Sequence, residues 1–391
     1  MNPYKIFLLY ELTHTLPKIF PKNHFKQPPI MGSLSPLLHR SSAASHRIFV
    51  PFCDRNAAAG DATTFIDCYT PSTNTWHRVT SIPASAEGLV LKDFSMVAFG
   101  HHIYVLGGRL CRRPAEVGSS AAAVDGEFRP RAVATVRRYD VGADRWEMCA
   151  EMSEARFSFA CTVCGGGIYV AGGQSLPGRA RGISSSEVYD PATDQWRSLA
   201  NMSRMRYKCV GVTWKRRILV VGGFVGGENF GPYDHIARSS AEVYDAERDK
   251  WIYVARMWDL DVPPRQIVAV NDKLFSSGDC LQSWKGHIES YDEKESIWNV
   301  VHRSSFNCMS PTYTAEGTTS TGRCYITMAP VRNHLYFLTG YSMPGEGSLL
   351  RSEVHVFDTS NSGGGWRSLE SIDEVGEKEL CGHCCVLSDD E

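Results

Sequence analysis

Three groups of residues in this chain have types and spacings that could do chemistry. Cys381-Gly382-His383-Cys384-Cys385 brings thiols and an imidazole together, the soft donors a zinc ion takes. The run GGGIYVAGG, Gly165 to Gly173, is bounded by glycine at both ends and could wrap a phosphate if it opened a helix. The third group is cationic. Arg156, Arg206 and Arg323 each stand 12 residues before the Ile or Leu of a glycine-ended apolar run, Lys92 is one residue out of that register, and Arg265 lies near it. A guanidinium is a planar fork that matches a carboxylate, so cations recurring at one repeat position point to an acidic ligand.

Which of these chemistries survives depends on the elements that carry the residues. The glycine-ended runs recur as HHIYVLGG, GGIYVAGG and RRILVVGG, with weaker copies DKLFSSGD and NHLYFLTG, and as HRIFVPFC without glycines. A second run follows each, ending in Tyr-Asp or a variant and then a Trp: Tyr69 to Trp76, Tyr139 to Trp146, Tyr189 to Trp196, Tyr244 to Trp251, Tyr291 to Trp298, and a stretched Phe357 to Trp366. The tryptophans are 70, 50, 55, 47 and 68 residues apart. Between each Trp and the next glycine run lies one more apolar stretch, such as Phe157–Cys164, so the full unit is four short strands. More strand follows the glycines and no G-x-G-x-x-G opens a helix, which removes the nucleotide-loop reading. On a strand Cys381, His383 and Cys385 share one face and Cys384 the other, and Cys161 and Cys164 also diverge. We expect small core side chains there and no metal or cofactor. The aspartate after each tyrosine is expected to anchor a turn, and the tryptophans to pack between units.

These double glycines, Tyr-Asp pairs and tryptophans, at a floor near 47–50 residues, resemble the kelch family over about residues 46–391. The strand sequences are similar to those of plant kelch and F-box/kelch proteins. The resemblance implies an all-β, six-bladed kelch β-propeller. The first unit lacks an inner strand and Glu379–Leu387 is a spare one. The C-terminal strand is therefore expected to close the first blade and remove an exposed edge.

The 391 residues carry a net charge of −2, which offers no electrostatic reason for nucleic-acid or membrane binding. Thirteen scattered cysteines read as reduced thiols, hence a cytoplasmic or nuclear protein. Residues 1–45 lack the repeat and are expected to be a disordered extension. Their apolar run Ile6–Tyr10 stops at Glu11, too short for a membrane span.

Antiparallel strands put the long second-to-third loops on one face, and function concentrates on such loops. That face is rich in arginine, including Arg113 in the longest loop and Arg181 in the third unit. With Lys92, Arg156, Arg206, Arg265 and Arg323 expected to ring one mouth of the axial channel, these residues form the candidate partner site. The resemblance implies a monomeric, non-catalytic interaction module for an acidic peptide or protein. A substrate-recognition or adaptor role beside ubiquitin-ligase subunits fits it, although the lead shows no F-box helices and is too short for a BTB domain. The alternative is a sugar-binding or mutarotase-like kelch enzyme. The E-x-x-x-D-x-x-x-H pattern through which related proteins hold iron does not occur here.

Overall fold

The computed structural model describes residues 46–54, 63–83, 88–112, 129–226, 238–258, 262–278, 287–303, 322–343, 349–360 and 365–388. The expected extension, residues 1–45, lies outside them, as does Arg113. Contacts divide the chain into Met1–Ala43 and Ala44–Glu391, and all the described strands belong to the second unit.

The described strands form six antiparallel sheets of four or five strands and one small three-stranded sheet. The third blade shows the plan: Ala160–Cys164, Gly167–Ala171, Ser186–Asp190 and Gln195–Leu199 pair in chain order. The innermost strands of the second to sixth blades are Ser95–Phe99, Ala160–Cys164, Val210–Trp214, Ile267–Val270 and Gly322–Val331. Each neighbours the next, and Cys385–Ser388 touches both the last and the first of them, completing a ring.

The glycine-ended strands are buried on both faces, which explains their unbroken apolar runs. In His102–Leu106, Ile103 and Val105 join one inter-blade core while Tyr104 and Leu106 join the next. Each Tyr is paired directly with its Trp across the third and fourth strands, as Tyr189 is with Trp196 and Tyr244 with Trp251. The indole N–H then reaches the preceding blade: Trp196 Nε1 donates to the Ala150 carbonyl at 2.8 Å, and Trp251 Nε1 to that of Ala200 at 2.9 Å. The turn aspartates act as expected. Asp140 Oδ1 accepts the backbone N–H of Gly142 and Ala143, and Asp190 Oδ1 that of Ala192.

The C-terminal segment pairs with the first strand, His46–Asp54, but not as one strand. Lys378–Leu380 and Cys385–Ser388 both pair with it, and the register shifts between Phe52↔Leu380 and Phe49↔Cys385. The Cys381 carbonyl turns out to accept the Asp93 N–H from the second blade at 2.9 Å. That break corrects the expected facing of the cysteine cluster. Cys381 and Cys385 enter the core, Cys384 bonds Thr327 and the Met328 carbonyl, and His383 is exposed. Among the described residues no three His, Cys, Asp or Glu side chains converge as a metal site, and the described cysteines are free thiols. No helix among them is long and apolar enough to cross a membrane.

Candidate interaction face

Arg156 and Arg206 enter the third and fourth blades at the end that carries the long loops. Both are 0% exposed, so neither guanidinium is presented to a ligand there, contrary to the expected channel-mouth ring. Arg206 Nη1 donates to the Gly222 carbonyl at 2.7 Å, Nη2 to Ser240 Oγ at 2.7 Å, and Nε to Glu242 Oε1 at 3.2 Å. Arg156 repeats the pattern with the Gly172 carbonyl, Ser185 and Glu187. Burial pulls the Arg156 guanidinium below its ordinary range, and Glu187 and Glu154 oppose that pull. The backbone of the same residues joins neighbouring blades. The Gly173 N–H donates to the Arg206 carbonyl at 2.7 Å, and the Gly108 N–H to that of Arg156 at 2.8 Å. A Cβ at Gly172, whose φ is +67°, would sit 2.6 Å from the Arg206 carbonyl oxygen, so the paired glycines make room for the arginine backbone.

Strand register separates the other cations from this pair. Lys92 lies opposite Arg109 and Arg323 opposite Tyr341, the place that Phe157 opposite Gln174 and Tyr207 opposite Phe224 occupy in the third and fourth blades. A register shift between Arg323 and Tyr325 undoes the 12-residue count that grouped Arg323 with Arg156. Lys92 is held by Glu379 of the closing segment at 2.7 Å. Burial pulls its amine down, but the bond to Glu379 together with the surrounding negative charge leaves it above the ordinary lysine value. Arg265 is partly exposed, and its backbone N–H donates to the Gly278 carbonyl. Arg113 falls outside the described residues, so its part in the expected site has no structural counterpart here.

Arg181 has a defined setting. The third-blade loop Gln174–Ser185 is pinned to the fourth blade: the Gly182 N–H donates to the Val225 carbonyl at 3.0 Å, Arg181 bridges Gly226, and the Arg206 N–H donates to the Ile183 carbonyl at 3.0 Å. Gln174 Nε2 closes the loop on the Arg179 carbonyl at 2.7 Å. Beside the loop opens a groove of about 360 Å³ lined by Glu154, Leu176, Arg179, Arg181, Ile183 and Met205 among others. Arg179 and Arg181 are exposed at its rim, and among the described residues no carboxylate pairs with either side chain. Glu154, the acid in the groove, accepts a hydrogen bond from Ser185 Oγ at 2.6 Å and lies 3.9 Å from Arg156. Its charge is thereby partly compensated from below.

The acids that hold Arg156 and Arg206 were missed, although a signal was present. Glu187 and Glu242 open the EVYD of the third and fourth units, whereas the second unit has Arg137 at that place and Leu91 where the arginine would stand. The third and fourth units carry both the arginine and the glutamate, and the second carries neither.

Two consecutive blades of this geometry coincide with two matches to the family described as Kelch motif, residues 155–203 and 205–257. The third and fourth blades carry Kelch motifs. The chain is 29% identical over 235 residues to the F-box/kelch-repeat protein At1g16250 of Arabidopsis thaliana, spanning 60% of this chain and 56% of that protein. Kelch-like protein 35 of Mus musculus is 29% identical over 140 residues, 29% of this chain and 24% of that protein. Kelch-like protein 21 of Rattus norvegicus is 29% identical over 128 residues, 33% of this chain and 17% of that protein. The chain thus spans little more than half the length of the first of these relatives and less of the others.

Proposed function

We propose that this kelch protein is a non-catalytic interaction module that takes an acidic segment of a protein partner on its loop-bearing face. The observation that carries the reading is the pair of exposed arginines, Arg179 and Arg181, at the rim of a groove on a loop pinned to the next blade. A pinned loop loses little conformational entropy on binding, and a guanidinium without an internal acid partner is available to an external one. Arg156 and Arg206 are then the scaffold under the site, with Lys92 and Arg265 as secondary contacts. The relatives' names carry F-box/kelch-repeat and Kelch-like, which supports a recognition or adaptor role of the ubiquitin-ligase type, and the scattered cysteines, read as reduced thiols, favour cytoplasm or nucleus.

The test is affinity capture from source tissue followed by mass spectrometry, run in parallel with wild type and Arg179→Glu/Arg181→Glu. The reading expects acidic partners, ligase subunits among them, that the wild type retains and the double variant loses while melting normally. Capture unchanged by the charge reversal removes this groove from the reading. Sugar-ring opening by the purified protein would replace the interaction module with an enzyme.

A further inference from the structure

The groove is cationic only at its rim. Its remaining lining includes Leu176, Ile183 and Met205, and Leu176 is 59% exposed although it sits in an otherwise polar, glycine-bearing loop tip. A leucine held that far into water costs apolar hydration in the free protein, and that cost is recovered only if an apolar group covers it. Ile183 is fixed from both sides, its N–H donating to the Gly173 carbonyl at 2.9 Å and its carbonyl accepting the Arg206 N–H. Ile183 is therefore as well fixed as the loop that carries the arginines.

From this juxtaposition we infer that the groove recognises a bipartite peptide element, an acidic residue placed within a few positions of an aliphatic or aromatic one. The carboxylate meets Arg179 and Arg181 at the rim, and the apolar side chain covers Leu176, Ile183 and Met205. Glu154, also in the lining, disfavours a second acid in the groove. The inference rests on the acidic-segment reading above and adds the apolar half and its place.

The probe is a displayed library of random twelve-residue peptides, selected against the full chain and sequenced. Arg181→Glu and Leu176→Ser are carried through the same selection. Both positions are exposed, so both variants keep the wild-type melting temperature. The expected result is enrichment of an acid within about four residues of Leu, Ile, Met or Phe. Arg181→Glu abolishes the acidic preference, and Leu176→Ser weakens binding of a selected peptide by about tenfold through loss of the apolar preference. Acidic enrichment without an apolar companion, or an apolar companion indifferent to Leu176→Ser, overturns this inference and leaves the acidic-segment reading standing. Wild-type selection with no acidic enrichment, or one that survives Arg181→Glu, overturns both.

Discussion

Two arginines fifty residues apart in sequence, Arg156 and Arg206, do the same structural work. Each guanidinium is buried against a glycine carbonyl, a serine and a glutamate of its own blade, while its carbonyl accepts a glycine N–H from the blade before. Removing one partner of such a pair leaves the other charge buried and unpaired, at a cost of about 3–5 kcal/mol. Arg206→Ala is therefore expected to lower the thermal midpoint sharply, and Arg206→Met/Glu242→Leu to recover part of the loss, as followed by thermal unfolding. A second residue-scale device is pH-sensitive. Asp194 accepts the Ala150 N–H and the Tyr189 hydroxyl, and Asp249 accepts the Tyr244 hydroxyl and the Ala200 N–H. Those bonds hold both carboxyls below the ordinary aspartate value of 3.8. A depressed folded-state pKa contributes stability that is complete above the unfolded value and lost as pH falls through the folded one. Midpoints measured from pH 6 downward should therefore fall below about pH 4 in wild type. In Asp194→Ala/Asp249→Ala they should start lower and change less over that window.

At the scale of the element, the blade plan was readable because glycine pairs and Tyr-to-Trp steps are local and repeat. The seven-residue step from Tyr189 to Trp196 becomes a direct cross-strand pair. What escaped was non-local. The burial of Arg156 and Arg206 depends on Glu187 and Glu242 more than thirty residues on, and the displacement of Arg323 depends on an irregular pairing opposite Tyr341. The closing segment shows the same limit. Its pairing with His46–Asp54 followed from counting strands, but its break at Cys381–Cys384 follows from a bond to Asp93 in another blade. Deleting residues 378–391 would strip a strand partner from His46–Asp54 and uncover the core that Cys381, Cys385 and Leu387 help fill. The expected outcome is aggregation or a large loss of thermal stability by light scattering and calorimetry, and unchanged melting would refute that role.

On the scale of the whole molecule, a net charge of −2 gives little long-range attraction for an acidic partner. On the proposed reading, recognition is local, from Arg179 and Arg181 on a loop braced between the third and fourth blades. On that reading the buried arginines keep the blades in place and the exposed ones meet the ligand. The most direct test of that division is a titration of one captured partner, at low and physiological salt, with wild type and with Arg179→Glu/Arg181→Glu. The account predicts an affinity loss of about tenfold or more in the variant, a salt dependence that largely disappears with it, and an unchanged melting temperature. Equal affinity and equal salt dependence in the two proteins would contradict it.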